Sequence, residues 1–172
     1  PRHGKTTAEK DRSLKHDPLK EFRDSPYTLP NEAAPTFIAH LSAAFKRAIA
    51  SAALDAPGAK KAQIARLVHV EPDELHDRMS VPTDKMPIYG LPRLYMNTVR
   101  NSGISRSHDI RTRAIIEQWA CRIAVTYSSP ILRQPLLLEL LSAAGRTQGV
   151  GDHRQGQGSG NFGQWVIVDP SE

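Results

Sequence analysis

Residues 35–54 have the sequence PTFIAHLSAAFKRAIASAAL, which predicts the first helix of the fold. Large apolar side chains recur in this stretch near the helical spacing of three or four residues, with alanine between them. Pro35 suits the first turn of a helix, and Pro57-Gly58 ends it. The middle of this helix carries two adjacent cations, Lys46 and Arg47, and we expect them to contact phosphate.

Residues 113–127 carry the clearest strand pattern in the chain. Apolar residues alternate there with smaller or polar ones, which is the period of two expected for a half-buried strand. The apolar face consists of Trp119, Cys121, Ile123, Val125 and Tyr127. We interpret Cys121 as a small buried hydrophobic residue rather than a nucleophile. After Pro130, a leucine-rich stretch predicts a second helix at Pro135–Ala144, ended by Gly145.

Other parts of the chain predict shorter elements. Leu91–Val99 alternates as a strand, within a stretch (residues 80–110) that is otherwise rich in proline and glycine turns. Residues 100–113 are basic and indicate a loop. Residues 148–163 contain six glycines and predict a glycine-rich loop, followed by a final strand at Gln164–Val168.

Residues 59–79 have two interpretations. The segment resembles a helix-turn-helix, which would place a helix at Glu71–Met79 in the major groove of duplex DNA. That helix, however, would carry four acidic residues against Arg78 alone, and phosphate repels an acidic recognition helix. The competing interpretation is a strand at Gln63–Val70 followed by an acidic loop, and the valines around His69 favour it.

The N-terminal stretch predicts an extended arm. Residues 1–34 contain seven basic residues and few large apolar ones, which is too little apolar surface for independent folding. We therefore divide the chain into an arm at residues 1–34 and a single domain at residues 35–172. The whole chain has a formal net charge of +5, which favours polyanionic partners.

The predicted order of elements is helix, strand, strand, strand, helix, strand. Adding one strand before the first helix gives the ferredoxin-like or RRM-like α+β pattern, an antiparallel sheet covered by two helices. That strand is missing from the predicted elements. It would lie in a lost N-terminal segment or come from another subunit.

The sequence shows no convincing catalytic or metal-binding constellation. The seven histidines are scattered, and their spacing matches no compact zinc motif. Ser107-His108-Asp109 contains the residue types of a triad, but adjacency in sequence does not place them as one. The single cysteine excludes an intramolecular disulfide framework, and the glycines after residue 148 match no dinucleotide fingerprint. We therefore expect no enzymatic activity, no cofactor and no metal.

The glycine-rich loop and the basic segments provide candidate nucleic-acid contacts. Glycine lets a backbone approach a ligand closely, and we expect Gly151 and Gly160 to act in this way. His153 and Phe162 could stack on bases. The residues expected to bind phosphate are Lys46, Arg47, Arg100, Arg106, Arg111, Arg113 and Arg154.

Several stretches resemble a group of phage and prophage proteins of uncertain function. The similar segments are Lys15–Pro18, Phe22–Tyr27, Ala44–Ala48, Ile110–Arg113 with Trp119, Gly149–Arg154 and Asn161–Gly163. More distantly, Ser42–Ala48 and the glycine-rich loop resemble the RAMP superfamily, the RNA-binding backbone subunits of CRISPR effector complexes. This resemblance implies a ferredoxin-like core that binds the backbone of single-stranded RNA and stacks along it, with Lys46 and the loop Gly149–Gly163 as carried-over positions.

Together these observations predict a non-enzymatic, single-stranded nucleic-acid-binding protein that assembles in several copies, with RNA favoured over DNA. No apolar run is long enough to span a membrane, so we expect a cytoplasmic protein without a membrane partner, located in a bacterial host if phage-encoded. Two alternatives remain open: a duplex DNA-binding protein using residues 59–79, and a phage structural or interaction protein that docks through its arm.

Overall fold

The computed structural model of the chain describes residues 17–29, 36–72, 84–100, 108–157 and 160–168. By their mutual contacts these residues form two compact units. The hairpin unit contains the described residues up to Tyr27 and those of Gly90–Trp119; the core unit contains those of Thr28–Tyr89 and from Ala120 onward. Helices and small antiparallel sheets make up the fold, so the predicted α+β class is confirmed. Within the described ranges, no helix combines the length and apolar character needed to cross a membrane.

In the core unit a strand lies directly before the first core helix, where the sequence predicted more helix. Strand β2 (Ile38–Leu41) pairs antiparallel with β4 (Lys85–Pro87), and β1 (Tyr27–Thr28) lies on the other side of β2. Helix α2 (Ser42–Ala52) follows β2 directly. The prediction of one helix from residue 35 is therefore wrong at its beginning, because Ile38–Leu41 forms ladder hydrogen bonds instead of helical ones.

Helix α2 buries an alanine-rich face with two large side chains, Phe45 and Ile49. It packs against helix α4 (Gln134–Thr147), which buries Leu137, Leu140 and Ala144. Small alanines on both helices let the two backbones approach closely, and burying leucine and isoleucine side chains contributes about 1.5–3 kcal/mol each.

Gly145 lies inside α4 and does not end it as predicted. A Cβ atom at Gly145 would overlap the main-chain carbonyl and the indole of Trp165. Glycine is therefore required there by a close contact. The helix ends at Thr147, and beyond it Gly149 adopts a φ of 65° and donates its N–H to the carbonyl of Ala144.

Residues 59–79 match neither sequence interpretation completely. Helix α3 (Lys61–Leu67) leads directly into strand β3 (Val68–Pro72). The predicted strand is thus wrong for residues 63–67, where Ile64 is buried on a helix that packs against α2, and right for residues 68–70. The predicted recognition helix is wrong at Glu71 and Pro72, which pair with strand β7 (Ile123–Tyr127). Its remaining residues, 73–79, lie outside the described ranges.

The predicted strand at residues 113–127 is two strands in two units. Strand β6 (His108–Ile116) ends in a bend at residues 117–118, and β7 begins at Ile123. Residues 108–113, predicted as a loop, belong to β6. Its partner is β5 (Pro92–Arg100), which confirms the strand predicted at Leu91–Val99.

Helix α1 (Pro18–Asp24) lies within the residues predicted as an extended arm, so that prediction is wrong for residues 18–24. The helix begins because the carboxylate of Asp17 accepts hydrogen bonds from the N–H groups of Leu19 and Lys20, both at 3.1 Å. Pro18 occupies the first turn. Helix α1 packs on β6, and Glu21 and Ser25 accept main-chain hydrogen bonds from that strand.

The final strand predicted at Gln164–Val168 forms no ladder with any described residue. Trp165 anchors this segment to α4 by donating its main-chain N–H to the carbonyl of Gly145 at 3.3 Å. Three large apolar side chains follow it, and all are exposed: Val166, Ile167 and Val168.

Candidate nucleic-acid interface

The glycine-rich loop is a closed structure held together by its own main chain. Near its base, Val150 donates its N–H to the carbonyl of Gly163 at 2.9 Å, and Phe162 donates to the carbonyl of His153 at 3.0 Å. A short 3-10 helix, Gln155–Gln157, forms part of the loop, whose residues 158–159 lie outside the described ranges. These hydrogen bonds hold the two arms of the loop together on either side of residues 158–159.

The glycines of this loop have different structural roles. A Cβ atom at Gly163 would overlap the carbonyl of Val150, and one at Gly160 would overlap the carbonyl of His153. Both glycines therefore allow the arms of the loop to approach each other. Gly151 is different: its φ is 82°, and nothing lies within 4 Å of the place a Cβ would take. Of the two glycines predicted to admit a ligand, Gly151 has the open position.

Two exposed rings of the loop contact each other, and an arginine follows one of them in the sequence. His153 and Phe162 make an edge-to-face contact, with ring centroids 6.2 Å apart, and both side chains are exposed. His153 adopts a φ of 54°, a conformation that non-glycine residues seldom take. Arg154 follows it, and its guanidinium donates a hydrogen bond to the carbonyl of Gly151 at 2.9 Å. The loop therefore exposes two rings suited to stacking and holds the guanidinium of Arg154 against its own main chain.

His40 of β2 connects this loop electrostatically to helix α2. Burial lowers the pKa of His40, because the imidazolium loses hydration. The carboxylate of Asp152 opposes this shift, whereas the positive charges of Arg154 and Arg47 lower the pKa further. All three charges thus lie within electrostatic range of this one imidazole. We call His40, Arg47, Asp152 and Arg154 the loop–helix cluster.

Helix α2 contributes the two cations predicted from its sequence. Arg47 is exposed and donates from Nε to the carbonyl of Ala43 at 3.2 Å, one turn earlier. Lys46 is half-buried. These side chains lie beside Phe45, whose ring packs 5.8 Å from that of Trp165. The same helix thus forms the apolar core with one face and carries the cations outside that face.

The other predicted cations belong to the hairpin unit. Arg111 forms an ion pair with Asp109, at 3.3 Å between Nη2 and Oδ2, and is half-buried. Arg113 is exposed and donates to the carbonyl of Thr112 at 3.1 Å. Arg100 ends strand β5, and Arg106 lies outside the described residues. The predicted site residues therefore fall into two groups, one in each unit.

Sequence reasoning missed His40 and Asp152 as members of the site. His40 lies in an apolar run that was assigned to the first helix, and a single histidine in such a run carries no functional signal. Asp152 was noticed only as a member of the glycine-rich loop. Recognition of strand β2 could have pointed to His40, because this residue lies on the strand that leads directly into α2.

The described residues contain no other cluster with obvious chemistry. Burial raises the pKa of Cys121 to about 12, so its thiol stays protonated at neutral pH and is a poor nucleophile. Within the same ranges, no group of three or more histidine, cysteine, aspartate or glutamate side chains is placed to hold a metal ion.

Comparisons with family models, with curated proteins and with solved structures found no match for this chain.

The closed loop predicts that two glycine substitutions have different effects. Gly151→Ala should lower the free energy of unfolding only by the cost of a left-handed alanine, about 1–2 kcal/mol. Gly163→Ala should cost about 1–3 kcal/mol more, because its methyl group would also overlap the carbonyl of Val150. Thermal unfolding of the two variants measures this difference. Equal unfolding temperatures would contradict the closed loop.

The lowered pKa of His40 predicts an acid-dependent loss of stability. Because the unfolded chain binds the proton more readily, the free energy of unfolding should fall as the pH drops below the ordinary histidine value of 6.5. His40→Gln should reduce this pH dependence, measured by urea unfolding between about pH 5 and pH 8. His69→Gln, at an exposed position of β3, is the control and should retain it. If His40→Gln keeps the wild-type pH dependence, the buried environment assigned to His40 is incorrect.

Proposed function

We propose that this chain is a non-enzymatic protein that binds the backbone of single-stranded nucleic acid, with RNA favoured over DNA, and assembles in several copies. The observation that carries the proposal is the loop–helix cluster. It combines two arginines from different elements with an ordered glycine-rich loop that exposes two aromatic rings.

The chemistry of the cluster suits an extended single strand. Arg47 and Arg154 provide positive charge for consecutive phosphates, and the open position at Gly151 allows a phosphate to approach the main chain. His153 and Phe162 would stack on bases regardless of sequence, which contributes about 1–3 kcal/mol per base. Asp152 reduces the net charge of the cluster, and we expect it to limit the number of bound phosphates.

The proposed fold is a ferredoxin-like core of the RAMP type. Strand β2 supports it, because it provides the strand before the first helix that the pattern requires. The order β2, α2, α3, β3, β4 contains the first half of that pattern with one added helix, and β7 and α4 come later in the chain, after β5 and β6. The resemblance of Ser42–Ala48 and the glycine-rich loop to the RAMP superfamily supports the same proposal, with Lys46 and the loop Gly149–Gly163 as the carried-over positions.

The hairpin unit carries a second, separate set of cations. Arg113 is exposed on β6, and Arg111 retains partial exposure beside Asp109. The helix-turn-helix alternative loses its basis at Glu71 and Pro72, which lie in a strand. The alternative of a protein that docks on another protein remains as an outcome of the test below.

Salt-dependent binding tests the proposal. Affinity for a single-stranded RNA of about 30 nucleotides should fall with salt, with a log–log slope of about −0.7 per neutralised phosphate. The double substitution Arg47→Gln and Arg154→Gln removes two charges and keeps hydrogen-bond donors, so the slope should become less steep by about 1.4. Fluorescence anisotropy over a salt titration measures both values.

The matched control changes two exposed arginines elsewhere in the core unit, Arg66→Gln and Arg133→Gln, and should keep the wild-type slope. His153→Ala with Phe162→Ala should weaken binding without changing the slope, because stacking involves no counterion release. Absence of binding, or a slope that the control pair lowers as much as the cluster pair, would defeat the proposal. Absence of binding would favour the protein-docking alternative.

A further inference from the structure

One outer edge of the β5–β6 hairpin is covered by side chains, and the other is not. Helix α1 and the turn after it cover the outer edge of β6 with side-chain acceptors. Thr112 donates its N–H to Oε2 of Glu21 at 2.8 Å, and Ala114 donates to Oγ of Ser25 at 2.7 Å. Exposed strand edges are templates for pairing, and these two acceptors occupy the edge of β6.

The same hydrogen bonds show which groups face outward on β5. In an antiparallel ladder, opposite residues either exchange both hydrogen bonds or direct both main-chain groups away from each other. Thr112 and Ala114 bond outward, and their register partners are Met96 and Leu94. The main-chain groups of Met96 and Leu94 therefore point to the outer edge of β5. They have no hydrogen-bond partner within the described part of the chain.

The outer edge of β5 is long, and two exposed apolar side chains belong to the residues whose main chain points outward. The strand has nine residues, and the side chains of Leu94 and Met96 remain 37% and 57% exposed. Natural edge strands are usually short, charged or covered. The covered edge of β6 and the open edge of β5 thus indicate that β5 pairs with another strand.

The core unit contains a segment of complementary character. After Trp165, the side chains of Val166 and Val168 are 77% and 69% exposed. The main-chain groups of residues 166–168 make no hydrogen bond within the described ranges. Valine and isoleucine have high strand propensity, so the segment can add to a sheet edge.

The two segments also carry opposite net charges in the sequence. The sequence from Gln164 to Glu172 contains two acids, Asp169 and Glu172, and no basic residue. The sequence of residues 92–116 contains five arginines and a single acid, Asp109. Opposite net charges on the two segments favour their association and disfavour pairing of two identical segments.

We propose that the outer edge of β5 binds residues 164–168 of a second copy of this chain. Each copy then offers one edge and one segment, so the contact is head-to-tail and lets further copies add at either end. The inference rests on the proposed assembly in several copies, but it requires no nucleic acid.

Two proline variants test the proposal in the full-length chain. Met96→Pro removes an outward N–H of β5 without removing a ladder hydrogen bond to β6, and Ile167→Pro interrupts the partner segment. In nuclease-treated protein, sedimentation velocity should show concentration-dependent oligomers for the wild type and monomers for each variant. An equimolar mixture should form dimers and nothing larger, because each variant retains one intact half of the contact.

Leu138→Ser is the control, since it removes an exposed apolar side chain of α4 and should leave the oligomers unchanged. If Met96→Pro does not fold, the double substitution Leu94→Lys and Met96→Lys tests the same edge with side chains that are already exposed. A monomeric wild type, or variants that assemble like the wild type, would overturn the proposal. RNA binding by strictly monomeric protein would overturn this inference and the assembly on which it rests, but not the proposed nucleic-acid binding. Head-to-tail oligomers without RNA binding would overturn only the proposed nucleic-acid binding.

Discussion

The contact between Trp165 and Gly145 is the constraint on which the candidate interface depends. The indole lies where any side chain at residue 145 would be, and it packs on Phe45 of α2. The glycine-rich loop begins directly after α4 and ends at Gly163, two residues before Trp165. This contact therefore fixes both ends of the loop against the two core helices. Without it, Arg154 and Arg47 would have no defined relation to each other.

The loop–helix cluster follows from this constraint because each charge has a separate structural cause. Arg47 faces outward because Phe45 and Ile49 bury the other side of α2. Arg154 is held through its hydrogen bond to Gly151. His40 is half-buried on the strand that enters α2. A site assembled from a strand, a helix and a loop in this way is positioned by the core and not by the loop alone.

Much of the fold could be predicted from the sequence, but the boundaries could not. The apolar periodicity of residues 42–52 and 134–147 located both core helices, because these faces are buried over several turns. The strand at Ile38–Leu41 was hidden, because a short apolar run before a helix reads as more helix until its partner β4 is known. The bend at residues 117–118 was hidden for the same reason: both halves alternate, and only their partners differ.

The candidate site was predicted in part. Basic residues and glycines indicate phosphate contacts by their residue type, so the sequence predicts Arg47, Arg154 and the loop. The place of His40 in the site depends on strand β2, which the sequence does not reveal. Photo-crosslinking of the full chain to a single-stranded RNA that contains 4-thiouridine tests the central claim most directly. Mass spectrometry should locate the crosslinks in peptides containing His153 and Phe162. Crosslinks confined to residues 61–72 of α3 and β3 would contradict the account, because that surface lies on elements outside the loop–helix cluster.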